Sequence, residues 1–328
     1  MIDILIYLSF TLVGVAIGTW ARKANKNMSF TGIVQMIAIT FLVLGMGIRM
    51  GSNQEVIDNL GSIGVYAFIF TVITLILVII CMCITRKAIG MNHYGYMKST
   101  EPKEITESKG KEENNGKTRV VNTTTLIILG SVIVGMLVGY FFIKDAVASN
   151  YEEFSENINF AITSGLCILL VFVGIDIGMA GTIIENFKKV GARVLLFPLV
   201  CIVGTMGAGL ISCLFMPISI KEGLAIAGGF GWYTLAPGII MEAGLVTASA
   251  ISFMHNVMRE LFAILLIPLV AKKIGYVETI GLPGAAAMDV CLPIVEKSTN
   301  STVAVYSFLS GAILSLLVPV LVPFIVSF

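Results

Sequence analysis

KEGLAIAGGFGWYTLAPGIIMEAG (221–244), SAISFMHNVMRELFAILLIPLVAKK (249–273) and ETIGLPGAAAMDVCLPIVEKSTN (278–300) fall within one stretch, Lys221–Asn300, whose reading decides the fold. It is apolar enough for a membrane, yet it breaks the rules of a plain spanning helix. The first part carries a glycine cluster and Pro237 where a spanning helix would have leucines. The second places Asn256, Arg259 and Glu260 inside a hydrophobic run, and the third repeats the broken pattern around Asp289. Irregular backbone and buried charge at membrane depth are tolerated where they face protein or a water-filled cavity. This stretch is therefore the candidate working site, and the rest of the chain is its housing.

At 57% hydrophobic and 12% charged residues, the chain is no soluble globule. A spanning helix needs roughly 20 apolar residues. The candidates are Ile4–Trp20, Phe30–Ile48, Ile63–Ile84, Thr125–Ile143, Phe160–Gly178, Val194–Phe215, Thr247–Ala271 and Thr302–Ile325. MIDILIYLSF lacks the basic flank of a secretory signal, so the first run is expected to stay as a helix. A net charge of +1 carries no pull towards nucleic acid. All six cysteines lie in apolar runs without metal-ligand spacing and read as small core residues. Between the third and fourth runs, KSTEPKEITESKGKEENNGKTR has no apolar period and reads as a solvated linker. The expected organisation is a three-helix repeat (1–88), a cytoplasmic linker (89–122), an inverted three-helix repeat (123–218), and two hairpin-plus-helix units carrying the site (219–328).

Lys and Arg near the helix ends set the orientation. With the N-terminus outside, the inner face collects Arg22, Lys23, Lys26, Arg86, Lys87, the basic residues of the linker, Lys188, Lys189, Arg193, Lys272, Lys273 and Lys297. The outer face keeps Arg49, Lys144 and Lys221. The expectation is a multi-pass protein of the inner (plasma) membrane with both termini outside. Lys221–Gly244 must then enter and leave on the outer face, and Glu278–Lys297 on the inner face. Two arms of about 12 residues reach roughly 18 Å, the depth of the bilayer midplane. Both segments read as re-entrant hairpins of opposite orientation.

Internal repeats support this reading. Phe41–Gly51 matches Leu170–Ala180, and Ile57–Gly64 matches Ile184–Gly191. These copies lie an odd number of helices apart, so the second is inverted. Thr247–Leu269 aligns without gaps on Thr302–Phe324, pairing Ser252 with Ser307 and Pro268 with Pro323. The hairpins align through Gly228/Gly284 and Pro237/Pro293. Inverted repeats with discontinuous helices are the signature of a secondary transporter. Duplication in a structural protein explains the repetition but not the charged, broken helices. The expected fold is an all-α integral membrane protein with eight transmembrane helices plus two re-entrant hairpins.

Ser249, Ser252, Asn256 and Glu260 share one helical face, while Arg259 and His255 lie on a second. Glu260 is about midway along its helix, where an ionised carboxylate costs at least about 3 kcal/mol unless paired or wetted. It reads as a cation or proton site, or as half of an ion pair with Arg259. Asp289 is expected at the tip of the inner hairpin and Tyr233 at the tip of the outer one. Half-helix N-termini there offer N–H groups to a carboxylate, and acidic side chains beside them suit an ammonium. An amino acid with an extra positive charge fits both. Asp176, ending the fifth helix, reads equally as a solvated end or a site residue. Trp232 reads as a wedge, a lid or an interface aromatic. Arg49 is expected to snorkel, and Glu242 and Glu296 to be solvated ends. The candidate substrate- and ion-binding set is Glu260, Asp289, Asn256, Tyr233, Arg259, Trp232, Ser252 and Asp176, with no catalytic or metal-binding set.

At GIDIG (174–178), GFGWYTL (229–235), NVMREL (256–261), Pro268 and GAAAMDVCLP (284–293) the chain resembles the LysO family of lysine exporters. The likeness runs from the fourth helix to the C-terminus and is weaker over the first three. The resemblance implies export of L-lysine, and sometimes of toxic lysine analogues, driven by an ion gradient. H+ or Na+ is the implied coupling ion, with no other cofactor. It also implies reliance on two intramembrane carboxylates, which match Glu260 and Asp289. Where the family usually has Gly-Ala-Thr-Ser-Met-Asp, Ala286 and Ala287 replace both hydroxyls here, which bears on substrate detail and ion coordination. The expected partners are L-lysine or a related cationic amino acid and membrane lipid; a homo-oligomer is compatible with the sequence. Two rivals stay open. One is an ion-coupled importer of an organic anion that uses Arg259 and the hairpin dipoles. The other is an intramembrane aspartyl protease, which needs Asp176 and Asp289 about 3 Å apart.

Overall fold

Uncharged runs rich in Leu, Ile, Val and Phe satisfy their own backbone as helices, which is what a hydrocarbon environment requires of an open chain. The structure, a computed structural model, describes residues 2–24, 26, 28, 30–96, 123–144, 150–180 and 195–328. Its helices are α1 (Ile2–Lys23), α2 (Thr31–Ser52), the short α3 (Gln54–Asp58), α4 (Leu60–Ala88) and α5 (Thr123–Val138), which continues as a π turn over Gly139–Ile143. There follow α6 (Tyr151–Ala180), α7 (Leu196–Ser212), α8 (Ile220–Ala227), α9 (Ala236–Glu242), α10 (Val246–Lys273), α11 (Leu292–Ser298) and α12 (Ser301–Val326). No strand occurs among the described residues. Within them, α2, α4, Glu156–Asp176 of α6, α10 and α12 are long and apolar enough to cross a membrane, and Gly130–Ile143 and Leu196–Ser212 are shorter apolar helices. Val194, residues 97–122 of the linker, the repeat half Ile184–Gly191, and Lys188, Lys189 and Arg193 lie outside the described residues.

Small residues bring α1 against α6 and α2 against α5. Gly14 and Gly18 face Val171 and Ile175, and Gly47 and Gly51 face Val132 and Met136. A methyl group on any of these glycines would overlap the opposite backbone, so the pairs depend on small residues four apart. A second group packs α4 on α7 and α10, and α12 on the second broken segment.

The chain breaks twice at the expected places. α8 opens on a capping box, in which Ser219 accepts from the Glu222 N–H and Glu222 accepts from the Ser219 N–H. It stops at Gly228, and α9 restarts with Pro237 in its first turn. After α10, two 3₁₀ turns, Val277–Ile280 and Gly284–Met288, precede α11, which has Pro293 in its first turn. The first arm of this segment is thus not the half-helix expected. Gly281, Pro283 and Gly284 interrupt it, and 3₁₀ geometry extends poorly.

The two breaks touch. The Ala285 N–H donates to the Phe230 carbonyl at 2.8 Å, and Gly231 lies against the Pro283 carbonyl. Phe230, Gly231 and Gly284 all have left-handed backbone, with φ of 46°, 98° and 63°. For the buried Phe230 this costs about 1–2 kcal/mol, so the contacts around it over-determine the shape.

Three charges differ from expectation. Arg49 does not snorkel: it is buried and donates to Asn159 and, at 2.6 Å, to the Met241 carbonyl. Glu242 is no solvated end, since it accepts from Tyr7 and, at 2.6 Å, from Thr163. The cause is the same for both, because the C-terminal end of α9 abuts α2 and α6 and supplies protein where water was assumed. Arg86, read only as a loop charge, pairs with the fully buried Glu278 at 2.6 Å. Glu296 is exposed, as expected.

Candidate functional site

A cavity of about 460 Å³ lies where the two breaks meet α2, α6, α10 and α12. Its volume is within the range of small-molecule sites, about 300–1,000 Å³. The breaks supply Gly231–Thr234 on one side and Ala285, Ala286 and Met288–Val290 on the other. Its apolar wall includes Ile39, Leu169, Val173 and Phe308, and its polar lining includes Gln35, Asp176, Glu260, Asp289 and Ser315. The helix periodicity of NVMRE sends Glu260 towards this space and turns its neighbour Arg259 away.

Of the expected set, Glu260, Asp289, Tyr233, Trp232 and Asp176 line the cavity, and Asn256, Ser252 and Arg259 do not. Glu260 is only 3% exposed, and its Oε1 has no hydrogen-bond partner. Among the described residues the ion pair is Arg86–Glu278, so Glu260 and Arg259 do not neutralise each other. A carboxylate so placed is completed by a proton or by a bound cation. Asp289 is open to the cavity, and its Oδ1 accepts from the Val290 N–H at 2.6 Å. Trp232 donates to Thr234 at 2.9 Å, and the Tyr233 ring meets Phe253 edge-on.

Arg259, Asn256 and Ser252 hold the breaks in shape instead. The Arg259 Nε donates to the Leu282 carbonyl at 2.9 Å, and Nη2 donates to the Gly281 carbonyl at 3.0 Å and to Thr205 at 3.3 Å. Asn256 accepts from the Gly231 N–H at 2.8 Å and donates to the Ser252 carbonyl at 2.8 Å. His255 is buried, with Nδ1 2.9 Å from the Thr71 hydroxyl and its ring on Phe70. Asp176 accepts from Thr31 at 2.9 Å and from Gln35 at 2.6 Å. Neither donor is among the residues expected from the sequence, although Gln35 is a lone amide in a largely apolar run, TGIVQMIAITF. No His, Cys, Asp and Glu cluster suited to a metal occurs among the described residues.

Apolar helices with two broken segments that meet at an acidic cavity are the architecture of a transport protein. Residues 129–326 match the family profile described as Lysine exporter LysO. Lysine exporter LysO of Escherichia coli (strain K12) is 27% identical over 281 residues, covering 84% of this chain and 85% of that protein. The Haemophilus influenzae protein named "Putative lysine exporter" is 31% identical over 205 residues, covering 61% of this chain and 97% of its own length. No solved structure matches. The chain belongs to the LysO family of lysine exporters.

Proposed function

We propose that this protein exports L-lysine, and lysine analogues, from the cytoplasm in exchange for H+ or Na+. The observation that carries the reading is the cavity lining, with three carboxylates (Asp176, Glu260 and Asp289) and, among the described residues, no Lys, Arg or His. Such a lining favours a substrate with more ammonium than carboxylate groups. The two relatives, one named as a lysine exporter and the other as "Putative lysine exporter", agree with lysine as that substrate. Expelling one positive charge against an inside-negative potential costs about 2.3 kcal/mol per 100 mV, and one-for-one exchange with an entering cation removes that term. Glu260 and Asp289 hold substrate ammonium and coupling ion in turn.

The matching architecture is eight spans and two re-entrant hairpins, with both termini outside the inner membrane. The two glycine-packed pairs support its inverted repeat, because exchanging the two three-helix units maps α1/α6 onto α5/α2. The anion-importer reading loses support, because Arg259 is committed to backbone carbonyls. Asp176 and Asp289 each bond elsewhere, so nothing joins them as the proton-sharing pair of a protease.

Reconstituted vesicles test the proposal. Lysine flux should follow an imposed proton or sodium gradient and vanish in the double variant Glu260→Gln, Asp289→Asn. Flux indifferent to both gradients, or retained in that variant, would sink it.

A further inference from the structure

Asp176 is held unlike the other two cavity carboxylates. Thr31 and Gln35 each donate to one of its oxygens, and both donors are neutral. They orient the group on α6, where Asp176 is exposed at the cavity, and among the described residues no cationic side chain lines that cavity. The Gln35 amide nitrogen also donates to the Phe172 carbonyl at 3.0 Å. Because both of its partners are acceptors, the nitrogen assignment is determined, and the amide oxygen is the end left for a ligand. An alkylammonium carries three donors and no acceptor, so a carboxylate oxygen and an amide oxygen match it.

A second, independent feature points to a ligand in the same space. Glu260, on a different helix, lines the same cavity, is 3% exposed, and has a buried Oε1 without a hydrogen-bond partner. The cavity thus seeks hydrogen-bond donors both at α10 and where α2 meets α6. Ile39, Leu169 and Val173 give it an apolar wall suited to a methylene chain.

We infer that Asp176 and Gln35 form a second ammonium subsite, which selects substrates carrying a side-chain ammonium besides the α-ammonium. The inference rests on the lysine reading and deepens it: Glu260 and Asp289 take the amino-acid end, and Asp176 with Gln35 reads the far end. Asp176 is a specificity-determining residue.

The test is equilibrium binding to the purified full-length protein in lipid nanodiscs, with L-lysine and L-norleucine, which lacks any polar group at the far end of its side chain, as probes. The wild type should prefer lysine. Asp176→Asn should lower that preference about tenfold to hundredfold, the effect of losing one charge-assisted hydrogen bond, and Gln35→Ala should lower it less. In both variants L-norleucine, which offers the Asp176 carboxylate and the Gln35 amide no donor, should bind as in the wild type, which also shows that they are folded. A lysine preference unchanged in both variants overturns the inference alone. Equal loss of both probes in Asp176→Asn overturns it too, because the residue then supports the site as a whole. A wild type that binds neither probe refutes the lysine reading itself, and this inference with it.

Discussion

Arg259→Met removes a fully buried cation and keeps an unbranched side chain of similar reach. The guanidinium makes hydrogen bonds of 2.9 and 3.0 Å to the Leu282 and Gly281 carbonyls, in the segment that carries Asp289. A hydrogen bond to a charged group is worth about 1.5–3 kcal/mol, so two amount to roughly 3–6 kcal/mol. Part of this is offset, because the variant no longer buries a charge whose Nη1 lacks a partner. A net local loss of about 3 kcal/mol raises the open population of the break by roughly a hundredfold. Amide hydrogen exchange over residues 281–289 should accelerate by that order, and the thermal midpoint in nanodiscs should fall. Arg259→Lys should repair little, because an ammonium lacks the fork that reaches two carbonyls. The refuting result is transport lost while exchange over 281–289 and the midpoint stay at wild-type values. Arg259 would then act on the substrate and not on the backbone.

Two further pairs of substitutions test the packing around the site. Gly284 and Gly244 both have left-handed backbone, with φ of 63° and 84°, but only Gly284 has Phe230 and Arg259 against it. Gly244→Ala should cost about 1–2 kcal/mol from the backbone alone, while Gly284→Ala should cost clearly more and separate the two breaks, as compared by thermal midpoint. Arg86→Ala leaves Glu278 buried and uncompensated, and should destabilise by about 3–5 kcal/mol. The double variant Arg86→Met, Glu278→Leu should recover much of that stability, so a double variant no better than the single would argue against the pair.

Much of this architecture was legible before any coordinates. Hydropathy, helix breakers and the Pro237/Pro293 pair are local properties, and they marked where the helices run and where the chain breaks. The charged face of α10 was also readable, since residues four apart must share a side. The identity of each charge's partner was not. A buried arginine implies only that something satisfies it, and the structure shows Arg49 donating to the Met241 carbonyl and Arg259 to those of Leu282 and Gly281.

By itself, the sequence determined a membrane-spanning helical protein with two interrupted segments around one polar helix. Only the tertiary structure decided which polar groups share a cavity. Asp176 and Gln35 lie far apart in the chain and on different helices, and only the packing of α2 on α6 brings the amide to the carboxylate. Likewise Asn256 adjoins Glu260's face in sequence, yet the approach of the first break takes it out of the cavity and leaves Glu260 in. Local chemistry sets which residues have to be satisfied, and long-range packing sets whether the protein or a ligand does so.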